Sequence, residues 1–244
     1  MIKLLLLLLS GAKLGKLLVS GGSMLLSLAV YAMVYGWRYA AGFVVLLFVH
    51  ELGHLLAARH RGLDVGWPTF IPFVGAWVEL KDRPHNAETE AFVGLGGPLL
   101  GTVGAVLCYL LARGEGDLPW LLAVAYAGFF LNLFNLIPLS PFDGGRITAV
   151  LSPRIWLLGV PVLLALFWWR PSPMLLIMAV LAAPQVWRAL RWRRDLPEAA
   201  TYYAVPLGTK IEYGLYYLAL LGFLAVMTHD LHEMLQSLQR GVPR

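Results

Sequence analysis

The run His50, Glu51, Leu52, Gly53, His54 sets two imidazoles four residues apart with a carboxylate between them. On a helix, such positions lie about 40° apart around the axis, so both rings reach one ion while Glu51 flanks it beside a bound water. That is the chemistry of metal-assisted hydrolysis. With six histidines among 244 residues, this pattern arises by chance on the order of 1 time in 200. A catalytic zinc takes three protein ligands and keeps one position open for water, so a third donor is required. Glu79, Glu88 and Glu90 are candidates, but Asp143 is better placed, at the end of the run Asn135, Leu136, Ile137, Pro138, Leu139, Ser140, Pro141, Phe142, Asp143, Gly144, Gly145. Pro138 and Pro141 break a helix there, and the glycines allow a close turn that returns Asp143 toward His50 and His54. The single cysteine, Cys108, excludes an internal disulfide and a thiolate cluster.

The elements that carry these residues belong to a membrane. Hydrophobic residues make up 59% of the chain, charged residues 14%, and the mean hydropathy is +0.71, against roughly 45–50% apolar and 25% charged for a soluble domain. A water-soluble globule and a disordered chain are both excluded, and the apolar surplus must face lipid. The fold expected is an all-α polytopic membrane protein. Apolar stretches long enough to cross about 30 Å of hydrocarbon lie near residues 17–37, 39–58, 91–112, 119–139, 155–169, 171–187 and 211–228, which predicts about six to seven transmembrane helices. The net charge of +5 reflects loop orientation rather than nucleic-acid affinity. With the N-terminus in the cytosol, most lysines and arginines, including Lys13, Lys16, Arg59, Arg61, Lys81, Arg83, Arg188 and Lys210, fall in inside loops. Arg38, Arg113, Arg170, Arg240 and Arg244 fall outside. His50 then sits nine residues before Arg59, roughly 13 Å inside the cytosolic edge at 1.5 Å per residue, where polar groups need a shared partner.

The chain divides into residues 1–37, an interfacial helix and first span; 38–152, a three-helix catalytic core; and 153–244, C-terminal helices with a basic cytosolic connector over 188–210. The leucine-rich opening is too short for a signal-peptide core and leads directly into another apolar span, so it reads as an interfacial helix with Lys13 and Lys16 at the headgroups. Between the second and third spans, the β-prone run Phe73 to Leu80, flanked by Pro68, Pro72 and Pro84, predicts a short strand or hairpin after the HExxH helix. An exposed strand edge there, with Gly75 in it, suits pairing with an extended peptide. Gly97 and Gly101 form a small-residue step for close helix packing. His60, His85, His229 and His232 read as solvated or interfacial.

Taken together, the two motif segments resemble the site-2 protease family of intramembrane zinc metalloproteases. His50, Glu51 and His54 match its HExxH, Asn135, Pro138, Asp143 and Gly144 match its second motif, and Gly96, Gly97, Pro98, Leu99 look like the turn that opens its third core helix. Gly101 stands where many members carry an asparagine, and the resemblance is to members without a PDZ or CBS domain. It covers about residues 38–152. It implies one Zn2+ held by His50, His54 and Asp143, Glu51 as general base, and peptide-bond hydrolysis in or near transmembrane segments of a membrane-anchored protein substrate. Asn135 and Pro138 are expected to help position that substrate. The resemblance also implies a prokaryotic cell membrane. A proteolytically silent scaffold of the same fold, and a membrane metalloprotease whose third ligand is a glutamate, remain alternatives at this stage.

Overall fold

The computed structural model describes residues 2–72, 75–77, 84–114, 118–192 and 201–241, with side chains of the first helix from Val19 onward. Helix α1, Ile2–Tyr35, runs unbroken through both pieces expected of the N-terminal region. Gly36, at φ 83°, turns the chain directly into α2, Trp37–His60, a conformation that residues with a Cβ rarely adopt. A two-stranded antiparallel hairpin follows, β1 Thr69–Ile71 and β2 Gly75–Trp77. The rest of the expected strand, Phe73, Val74 and Val78 to Leu80, lies outside the described residues. Then come α3, Ala87–Gly114; α4, Pro119–Asn135; the short α5, Asp143–Ala149; a 3-10 turn at Pro153–Leu158; α6, Gly159–Trp169; α7, Pro173–Leu190; and α8, Leu207–Gln239.

Helices α2, α3 and α4 pack on one another at the centre, with α5 against α3, α8 against α4, and α1 and the hairpin against α2. One core cluster, around Phe129, Leu136, Ile147 and Leu224, joins α3, α4, α5 and α8. Another joins Tyr31 of α1, Val44 and Leu47 of α2, and Phe70 of β1.

Four helices, α2, α3, α7 and α8, are long and apolar enough to cross a membrane; three shorter apolar stretches, Val19–Tyr35, Pro119–Asn135 and Pro153–Trp169, account for the remaining apolar segments read in the sequence. Along α3, Leu99, Val103, Leu107, Leu110 and Leu111 point outward and exposed. A continuous outward stripe of this kind belongs against lipid rather than water. Two boundaries differ from the sequence reading. The stretch 119–139 stops being helical at Asn135, where the turn containing Pro138 and Pro141 begins, because proline cannot continue a helix interior. Helix α8 outruns 211–228 at both ends and is roughly 50 Å long at 1.5 Å per residue.

The closest approach in the core is made by glycines. A Cβ on Gly53 would lie 2.1 Å from the Gly96 carbonyl oxygen, and one on Gly96 would lie 2.5 Å from the Gly53 carbonyl. Backbone meets backbone at this crossing, which only glycine permits. Gly53→Ala therefore forces α2 and α3 apart, and the purified protein in detergent is expected to unfold at a clearly lower temperature. Gly22→Ala, with nothing within 4 Å of the added carbon, leaves the transition in place.

Candidate metal centre

His50 and His54 lie on the buried face of α2, four residues apart, and Asp143 opens α5. The structure brings the three together. His50 Nε2 is 3.1 Å from Asp143 Oδ2, His54 Nε2 is 3.1 Å from Asp143 Oδ1, and the two Nε2 atoms are 3.2 Å apart. All three residues are buried, and among the described residues they are the one cluster of His, Cys, Asp and Glu donors close enough to share an ion.

The outer ring nitrogens decide what this triangle means. Asn132 donates from Nδ2 to the Gly128 carbonyl at 2.7 Å, which turns its Oδ1 toward His50 Nδ1 at 2.8 Å. That oxygen only accepts, so His50 Nδ1 carries the proton. His54 Nδ1 likewise faces the Val93 carbonyl oxygen at 2.8 Å and must donate to it. In the neutral rings both Nε2 atoms are then bare lone pairs, pointed at each other and at a carboxylate. The two Nε2 atoms and the two carboxylate oxygens, crowded together away from water, repel unless a proton or a metal cation lies among them. Tetrahedral zinc at about 2.0–2.1 Å from each ligand spaces its donors about 3.3 Å apart. The observed 3.1, 3.1 and 3.2 Å fit that spacing, so this group can hold a zinc ion.

Glu51, next to His50 and only 5% exposed, lies within electrostatic reach of both histidines and Asp143. Its carboxylate makes no hydrogen bond among the described residues, which leaves it available to a water at the open position.

The surroundings explain the local sequence. A Cβ on Gly97 would fall 2.2 Å from His54 Nε2, one on Gly101 would fall 2.4 Å from Asn132 Oδ1, and one on Gly144 would fall 2.2 Å from the Leu136 carbonyl oxygen. The small residues along α3 thus make room for the ring and for the amide that orients the other ring, beyond simple helix packing. The turn that delivers Asp143 is braced from three sides: Tyr217 donates to the Leu136 carbonyl at 2.6 Å, the Ser140 amide donates to Gln185, and Trp156 donates to the Gly145 carbonyl at 2.8 Å.

Other sequence candidates fall elsewhere. Asn135 is half-buried in the last turn of α4 and makes no side-chain hydrogen bond among the described residues. Pro138 sits half-buried in the turn, its carbonyl against Gly159. Glu88 pairs with Arg61 at 3.3 Å, and Glu90 accepts from the Tyr202 hydroxyl; burial and that carboxylate hold the Tyr202 hydroxyl above its ordinary range. Glu79 lies outside the described residues. His60 packs on the Phe92 ring and His232 on the Tyr126 ring. Asn132 is the residue sequence reasoning missed. Its signal was present, since an asparagine in the interior of an apolar helix needs a buried partner.

In the hairpin, Gly75 pairs with Ile71, Ala76 with Phe70 and Trp77 with Thr69. The Phe70 amide donates outward, to Ser23 of α1, so by the alternation of antiparallel ladders Ala76 also turns its amide and carbonyl outward. Gly75 belongs to the inward-bonded pair. The Phe48 and Phe70 rings stack 6.5 Å apart, which sets the hairpin less than one turn from His50 along α2.

Replacing an outer partner of a metal-bound histidine weakens affinity by about 10–100-fold. Asn132→Ala is expected to lower zinc affinity within that range, and Gly97→Ala to leave the purified chain without zinc, both read by metal analysis after dialysis against a graded chelator.

Comparison with known proteins agrees with this geometry. Residues 38–117, which include His50, Glu51 and His54, match the model for peptidase family M50; Asp143 lies beyond the matched residues. A zinc metalloprotease of Methanocaldococcus jannaschii is 32% identical over 119 residues, 45% of this chain and 34% of that one. Another protein of that organism, also named as a zinc metalloprotease, is 28% identical over 182 residues, 59% of this chain and 93% of its own length. Among solved structures, a site-2 protease from Methanocaldococcus jannaschii covers 75% of this chain and 89% of its own, with 20% identity and a TM-score of 0.46. The chain spans about a third of the length of most of the curated relatives it matches. The matched core, residues 38–117, thus resembles the M50 peptidases, and the relatives it aligns with are named zinc metalloproteases.

Proposed function

We propose that the chain is a zinc-dependent endopeptidase that hydrolyses peptide bonds in or beside the transmembrane segments of membrane proteins. The observation that carries this reading is the convergence of His50, His54 and Asp143, each offering one ligand atom, beside a Glu51 carboxylate with no hydrogen bond among the described residues, with both histidines on a helix long and apolar enough to cross a membrane. On this reading those three residues hold the metal. Zinc, when bound, lowers the pKa of a water toward 7 and polarises a carbonyl. Glu51 takes the proton from that water and passes it to the leaving amine. Asn132 and the Val93 carbonyl keep each imidazole in the tautomer that presents Nε2 inward. On this reading the basic loops suit a cytosolic N-terminus and six to seven crossings, and the family resemblance suits a prokaryotic cell membrane.

A transmembrane substrate must unwind before its carbonyls can be reached, and each freed backbone group then needs a partner. The outer edge of β2 supplies one donor and one acceptor at Ala76, while β1's outer edge is already bonded to α1. Asn135, whose amide is unbonded among the described residues, and Pro138, which shapes the turn before Asp143, line the substrate's path on the other side. A glutamate as third ligand is disfavoured because Glu88 and Glu90 are engaged by Arg61 and Tyr202. A silent scaffold has no use for Glu51.

Membrane fragments from cells carrying wild type and Glu51→Gln, compared by mass spectrometry, test the activity. The variant is expected to keep its zinc and lose cleavage by about 10²–10⁴-fold; identical fragments from both would remove the proposal. Asp143→Asn is expected to lose the metal itself. The strand edge is tested at Ala76 rather than Gly75, since proline at Gly75 severs the hairpin's own ladder. Ala76→Pro removes only the outward amide, so cleavage should fall with zinc unchanged, and undiminished cleavage would discard the role of the edge.

A further inference from the structure

Arg146 is a partly buried guanidinium near the metal centre whose Nη2 has no hydrogen-bond partner among the described residues. That atom is shut off from solvent, and the side chain forms no ion pair among the described residues. Arg61 also leaves its Nε unpartnered, but its Nη2 bonds Glu88 at 3.3 Å and it lies over the Phe92 ring. An arginine cannot shed its proton to escape the cost of burial, and a buried donor left unmade costs its full desolvation.

Its position says where the missing partner comes from. Arg146 follows Asp143 by three residues in α5, so the two share a helix face. Its Cβ lies 3.1 Å from where a Cβ on Gly94 would stand, beside Val93, whose carbonyl holds His54. Its charge reaches the Glu51 carboxylate on one side and Tyr202 on the other. The guanidinium therefore lies near the metal centre, and among the described residues no acceptor meets its Nη2. A peptide drawn out of helical conformation beside that centre brings unbonded carbonyl oxygens into a low-dielectric space, where each requires a donor. The planar fork of arginine offers several N–H groups to such oxygens in fixed geometry.

We infer that Arg146 is a substrate-binding residue, whose guanidinium donates to backbone carbonyl oxygens of the extended substrate segment next to the metal centre. The inference rests on the endopeptidase reading, and its test separates the two. Fluorescein-labelled casein, an unfolded polypeptide with free backbone carbonyls, is titrated by anisotropy against the zinc-loaded, detergent-solubilised full chain in the Glu51→Gln background, with Arg146 kept or replaced by Met or Lys. Arg146→Met is expected to weaken binding about tenfold with one zinc per chain retained and the unfolding temperature unchanged, and Arg146→Lys to recover part of the loss. Binding within twofold of the parent overturns the inference, as does loss of zinc or of thermal stability in the methionine variant, which would make the residue structural. A wild type that holds zinc and binds casein through Arg146 yet cuts nothing overturns the endopeptidase reading and leaves the binding role standing.

Discussion

Two imidazole nitrogens and the two oxygens of one carboxylate meet at 3.1–3.2 Å in the interior of the helix bundle, and the surrounding structure holds them there. A lone imidazole could rotate to relieve the repulsion. Here the Nδ1 protons are committed, one to the Asn132 amide oxygen and one to the Val93 carbonyl, and the carboxylate is fixed by a turn braced from α7, α8 and the 3-10 segment. Rigid donors with the wrong charge balance for a dry interior are what a divalent cation stabilises, because its binding supplies the missing positive charge without demanding any rearrangement.

That rigidity depends on approach distances only glycine allows. Gly53 against Gly96 brings α2 and α3 into backbone contact; Gly97 leaves the volume for the His54 ring; Gly101 leaves the volume for the Asn132 amide; Gly144 lets α5 begin against the Leu136 carbonyl. In lipid there is little hydrophobic force between helices, so close packing and interhelical hydrogen bonds must hold the bundle. The same glycines therefore serve cohesion and site geometry together.

The metal-ligating pattern on α2 and the apolar helices were legible in the sequence because both are local. The spacing of His50 and His54 is a property of one helix, and the apolar stretches map onto the described helices segment by segment. What escaped was long-range. Asn132 and Asn135 lie three residues apart in the same apolar helix, and nothing local says which of them meets His50. That depends on how far α4 rotates against α2, which is set by packing around Phe129 and Gly128. The lack of a partner for Arg146 Nη2 among the described residues was equally invisible, since an unpartnered donor is a statement about every neighbour rather than about spacing. Ends of elements set by proline were nearer to legibility, as the stop of α4 before Pro138 illustrates.

The hairpin shows how an element that carries no metal ligand bears on the site. Irregular backbone at membrane depth is tolerated only where its polar groups are met by protein or line a cavity. The segment after α2 turns back to the level of Phe48, and its outer strand would there present a row of open amides and carbonyls. Helix α1 answers this with two serines: Ser20 donates to the Pro68 carbonyl, and Ser23 accepts from the Phe70 amide. Those two bonds tie β1 to α1, and among the described residues no bond covers the outer edge of β2. An uncovered edge in apolar surroundings costs free energy unless something extended lies along it, so under the proposed function the serines of α1, by tying down β1, would leave β2 as the side for an extended chain.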